Sequence, residues 1–82
     1  MDEKLVAQVD GLVEKYTELL LGEATEERKE KVRLWILYTY ISKQMPPLVK
    51  HWNESYPDAK ENMKELVYEI KALNEAHNNE DK

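Results

Sequence analysis

The sequence predicts an all-α fold, a small helical bundle of three long antiparallel helices plus one short connecting helix after Pro46-Pro47. Three observations carry that expectation. Apolar residues recur three and four apart through most of the chain, which is the spacing of one helix face. Gly22, Pro46, Pro47 and Pro57 fall between those stretches and divide them. The run Leu34-Trp35-Ile36-Leu37-Tyr38-Thr39-Tyr40-Ile41 holds seven apolar or aromatic side chains in eight, in a chain where 35% of residues are charged. Charged helical stretches flank it, so it belongs at the middle of the fold.

Residues 3–21 read as an amphipathic helix. Leu5, Val9, Leu12, Tyr16 and Leu19 step by four and three, and Val6, Val13 and Leu20 widen the stripe. Asp2 and Glu3 complement the positive end of the helix dipole, and Gly22 suits a left-handed C-terminal cap. Gly11 lies inside the pattern at a cost of about 1 kcal/mol relative to alanine. The 4-3 spacing is that of a coiled-coil seam but lasts under three heptads, which favours an ordinary bundle helix.

After a turn at 22–25, Thr25 is a natural N-cap for a second helix ending near Gln44, because the two prolines exclude helical geometry at Met45. That helix carries two apolar stripes on nearly opposite sides. Val32, Trp35, Ile36, Thr39 and Tyr40 form one; Leu34, Leu37, Tyr38, Ile41 and Met45 form the other. A helix apolar on both sides is normally covered on both sides. Prolines are tolerated in a first helical turn, so Pro46-Pro47 opens a short helix to about Ser55, with Leu48, Val49, Trp52 and Tyr56 inward. Pro57 breaks the path and starts a last helix, with Ser55 or Tyr56 as its cap, running to about His77. Ala59, Met63, Leu66, Val67, Ile70 and Leu73 form its buried side. Residues 1–77 are therefore expected to make one domain, with 78–82 as a frayed polar tail.

Eighty-two residues bury only about 60–65% of their unfolded surface, so the margin of stability is thin. Without cysteine there is no disulfide and no thiolate metal site, which fits a reducing cytoplasm. The start lacks a basic and then apolar leader, and the longest strongly apolar run, eight residues, is too short to span a bilayer, so no membrane role is expected. Net charge is −5, and neither half of the chain is basic. Arg28, Lys29, Lys31 and Arg33 alternate with Glu26, Glu27 and Glu30, a solvated paired face rather than the uncompensated charge that nucleic acid requires.

Signatures of catalysis are sparse. The two glycines are too far apart for a phosphate loop, and no motif joins Ser42 or Ser55 to His51 or His77. No HxxxH or ExxH pair fixes two metal ligands on a helix face. His77 with Glu69, Asn74 or Glu80 makes at most a weak surface site, and Glu61, Glu65 and Glu69 form an acidic ridge. Neither enzyme activity nor a cofactor is expected.

Two surfaces compete for function. The stripe Leu34, Leu37, Tyr38, Ile41 and Met45 is the candidate interface, used by a second copy in a homodimer or by a partner's amphipathic helix. The alternative is a ligand pocket, binding or catalytic, near Lys50, His51, Trp52 and Tyr56. There aromatic, basic and amide groups gather beside proline-set turns. Trp52 and Tyr56 lie on the same side as Leu48, which is also how core anchors are spaced.

With Met45-Pro46-Pro47-Leu48-Val49-Lys50-His51-Trp52-Asn53 and Tyr56-Pro57 in view, the chain resembles the YusU-like family of short uncharacterised bacterial proteins. The resemblance extends from Gly11-Leu12-Val13-Glu14-Lys15-Tyr16 to Leu73-Asn74-Glu75. It implies a cytosolic bacterial protein and brings no catalytic residues with it. The expected role is therefore a small interaction or regulatory protein acting through an apolar helical surface.

Overall fold

A computed structural model describes residues 2–80. It contains four helices: α1 (Glu3–Leu21), α2 (Glu26–Gln44), α3 (Pro46–Ser55) and α4 (Pro57–Glu80). Each boundary has a local cause. The Asp2 carboxylate accepts from the Lys4 amide at 3.0 Å, and the Thr25 hydroxyl oxygen accepts from the Arg28 amide at 3.1 Å, so both supply partners for exposed first-turn N–H groups. Gly22 ends α1 with φ 90°, a left-handed conformation that costs glycine little. Its amide donates to the Glu18 carbonyl.

The proline turns are single-residue hinges. Met45 leaves helical geometry (ψ 72°), yet its amide closes α2 on the Ile41 carbonyl and its own carbonyl accepts from the Leu48 and Val49 amides. Tyr56 does the same between α3 and α4, donating to the Trp52 carbonyl and accepting from the Lys60 amide. The last helix runs through Glu80 rather than stopping near His77. No glycine or proline intervenes, and Asn78 Nδ2 donates to Asn74 Oδ1 one turn back at 3.5 Å. Residues 81 and 82 of the expected tail lie outside the described residues.

Among the described residues, Leu21, Val32 and Ile70 are the buried apolar side chains, with Leu20, Trp35, Leu66 and Leu73 packed around them. This core sits where the C-terminal half of α1, the N-terminal half of α2 and the C-terminal half of α4 converge, and α3 packs on α2 and α4 beyond it. Asn74 Nδ2 donates to the Leu20 carbonyl at 2.8 Å, tying α4 to an otherwise open end of α1. The chain is a slab of 39 × 37 × 20 Å. Its radius of gyration is 14.5 Å, against about 12 Å for a compact chain of this length.

The orientation of α1 corrects the sequence reading. Leu5, Val9, Leu12, Tyr16 and Leu19, the expected core stripe, all face outward, and Leu12 and Leu19 are 69% and 66% exposed. The face turned inward carries Val13, Thr17, Leu20 and Leu21, roughly 110° around the helix from the seam. Two interactions fix this rotation. Asp10 pairs with Lys29 and Arg33 of α2, and Thr17 fits into the interior because its hydroxyl donates to the Val13 carbonyl at 2.7 Å. A buried hydroxyl satisfied within its own helix carries little penalty.

Candidate interaction face

On α2, Val32 is fully buried while Trp35 and Thr39 are half-buried, so this much of the first stripe points inward as its spacing requires. Ile36 and Tyr40, of the same stripe, are exposed on the side next to α1. The second stripe stays uncovered by the chain's other helices. Leu34, Leu37, Ile41 and Met45 are all exposed, with Leu37 at 53% and Ile41 at 40%.

Tyr38 departs from that group. Its ring lies 6.0 Å from the Trp52 ring, centroid to centroid, and its hydroxyl donates to Asn53 Oδ1 at 3.2 Å. It packs there because α3 folds back over the C-terminal half of α2 at the Met45 hinge. Trp52 is half-buried between Tyr38 and Tyr56, whose ring is 5.9 Å away. Tyr38, Ile41, Leu48, Val49 and Trp52 line an apolar groove of about 330 Å³. Lys50 and His51 are exposed and do not line it, and Tyr56 is exposed at the end of α3. The four residues of the expected pocket are thus not brought together: Trp52 faces the groove without the two basic groups.

A second apolar surface lies on α1, where the sequence reading placed core. An open groove of about 690 Å³ runs along Leu5, Val6, Ala7 and Val9 to Asp10 and Arg33. A further one, about 490 Å³, is lined by Leu12, Val13, Tyr16 and Ile36. The 4-3 spacing from Leu5 to Leu19 marks these residues as one face and carries no signal of what covers it.

The charged groups between these surfaces are paired. Asp10 accepts from Lys29 Nζ at 3.0 Å and from Arg33 at 2.6 Å, and these bonds, Lys29 first, hold its carboxyl below the usual range. The same bond to Asp10, followed by one to Glu26, raises the Lys29 ammonium above its ordinary value against the opposing effect of burial. Lys31 is raised by Glu69 of α4 at 2.6 Å and then by Glu27. Arg28 has Glu23 at 3.9 Å, so every basic side chain of residues 28–33 stands beside a carboxylate. Among the described residues no three His, Cys, Asp or Glu side chains gather to hold a metal ion. Among the described residues no helix is long and apolar enough to cross a membrane. What the arrangement offers is apolar area framed by neutralised charge.

Residues 3–80 match the model of a family described as "Protein of unknown function (DUF2573)". The chain is also 65% identical, over 79 residues, to "Uncharacterized protein YusU" of Bacillus subtilis (strain 168), covering 96% of this chain and 83% of that protein. No solved structure matches the chain.

Proposed function

Since the chain belongs to the DUF2573 family, whose description carries no activity, its role has to be read from its own surface, and we propose that it is a small cytoplasmic interaction protein that works as a homodimer. Regulation of, or docking onto, another protein is then its mode of action, and no chemistry is assigned to it.

The observation that carries this reading is surface area. The protomer exposes 6494 Å², whereas a folded monomer of 9.7 kDa exposes about 5,100 Å². Two copies burying that excess of about 1,400 Å² each would remove about 2,800 Å² in total, within the range of obligate homodimers. Most of the exposed large apolar side chains lie on α1 and α2, and exposed apolar surface beyond that of a typical monomer marks an interaction site. A 20 Å slab is about two helix diameters thick, so a second copy stacked on its open side gives those faces an interior.

Sedimentation equilibrium across the micromolar range tests the reading. A two-chain mass is expected. A single-chain mass at every concentration, with helicity intact, overturns it.

A further inference from the structure

Resting on the self-association reading, we infer that α1 is the helix on which the second copy sits: the seam Leu5, Val9, Leu12, Tyr16 and Leu19 packs antiparallel against its own counterpart, with Leu12 at the two-fold axis. All five side chains are exposed in the protomer and recur with the 4-3 rhythm that lets one helix interlock with another. From Leu5 to Leu19 the seam is about 21 Å long, and its midpoint is Leu12, the most exposed of the five. A two-fold interface sets a residue on the axis against itself and exchanges those equally distant from it. Leu12 therefore meets the second copy's Leu12 and Leu5 lies beside its Leu19, each seven residues from the axis, while Val9 and Tyr16, three and four residues from it, interleave one residue out of register.

The flanks of the seam decide its direction. One flank is apolar, made by the exposed Val6 and by the half-buried edges of Val13 and Leu20, where α1 begins to turn inward; the other is polar, made by the exposed Gln8 and Lys15. A two-fold axis perpendicular to the helices keeps each flank on its own side, so apolar meets apolar and polar meets polar. A parallel pair has its axis along the helices and would set Lys15 against the second copy's apolar flank. That sets the Lys15 ammonium, paired with Glu18 at 3.4 Å, beside hydrocarbon, where the ion pair loses hydration. Opposed helix dipoles favour the same choice. The apolar flank also borders α2, where Ile36 shares a groove with Leu12, Val13 and Tyr16. Antiparallel pairing brings both α2 helices to one side of the seam, extending the contact through Ile36 and Tyr40 toward Leu37.

The absence of native cysteine permits a direct test. Full-length chains carrying Leu5→Cys, Leu12→Cys, Leu19→Cys or Leu37→Cys are sedimented while reduced, then oxidised with copper phenanthroline and run on non-reducing gels. A disulfide needs Cα atoms within about 7 Å, so only residues that face each other link rapidly. Leu12→Cys is expected to link at least ~10-fold faster than Leu37→Cys. Leu5→Cys alone should stay unlinked but join Leu19→Cys when the two chains are mixed. Self-linking of Leu5→Cys would mean a parallel pair, and a dimer that links through Leu37→Cys but not Leu12→Cys would move the axis to α2; either overturns the assignment while self-association stands. A reduced chain that sediments as a monomer removes the self-association reading itself.

Discussion

The ammonium of Lys29 sits 3.0 Å from the carboxylate of Asp10, nineteen residues earlier in the chain, although the lysine is only 5% exposed. This contact joins α1 to α2 and helps choose which face of α1 turns inward. It also makes stability depend on pH in a definite direction. Asp10 titrates below its unfolded value, so its contribution is complete above about pH 3.9 and lost as pH falls through the folded value. Lys29 and Lys31 titrate above theirs, so their contributions hold below about pH 10.4 and disappear as pH rises through the folded values. Thermal melts should show a plateau between these limits. Asp10→Asn should lower the plateau and shrink the Asp10 part of the acid limb; an unchanged melt at pH 7 would separate the contact from stability.

The two glycines should respond oppositely to alanine. A Cβ at Gly11 meets nothing within 4 Å, so Gly11→Ala is expected to stabilise by about 0.5–1 kcal/mol, the helix-propensity difference. At Gly22, φ is 90° and a Cβ would stand 2.8 Å from His77 Nδ1, so Gly22→Ala should cost more than about 1 kcal/mol. Urea denaturation of both variants at one protein concentration measures the contrast.

Val32 is fully buried at the meeting point of three helices. Removing its two terminal carbons in Val32→Ala loses transfer energy and leaves a small cavity, together about 2 kcal/mol. In a domain with so few buried side chains, that should appear as a clear fall in the urea midpoint. A loss under about 0.5 kcal/mol would show the site collapsing around the gap.

Leu37→Glu and Ile41→Glu act on a surface that the protomer leaves uncovered. Leu37→Glu, at the edge that the α1 contact reaches, should weaken association and Ile41→Glu, beyond it in the groove under α3, should not, while the circular dichroism at 222 nm keeps its helical intensity in both. Loss of helicity at concentrations where the parent is already monomeric would place the residue in the protomer's own interior instead.

Helix boundaries were legible in the sequence because their causes are local. Thr25, Gly22, Met45 before two prolines and Pro57 each act on their own backbone, and the helices begin and end around them. That α2 carries two opposed apolar stripes was also readable, since no spacing on a single helix can bury Leu34 and Trp35 against the same neighbour; that the second stripe stays bare was not, because it depends on where α1, α3 and α4 pack. The rotation of α1 was not readable. A 4-3 stripe says which residues share a face and nothing about whether that face meets α2, α4 or another chain. What turned it outward was the distant pair Asp10–Lys29 and the buried Thr17, two polar positions that periodicity assigns to solvent. The packing of Tyr38 on Trp52 was likewise out of reach, because Trp52 comes from a helix folded back by the Met45 hinge. Lys50 and His51 adjoin Trp52 in sequence but turn away from it on α3, so proximity along the chain did not make a site.

The buried cluster at Leu21, Val32 and Ile70 clamps only one end of α1, and that asymmetry has a dynamic counterpart. Within a lone protomer, amide protons near Thr17 should outlast those near Val6 in deuterated water, because local opening follows the density of packing. The two halves of one continuous helix would then carry different clocks, and a rise in protein concentration that slows only the faster clock would be the trace of a second chain lying along it.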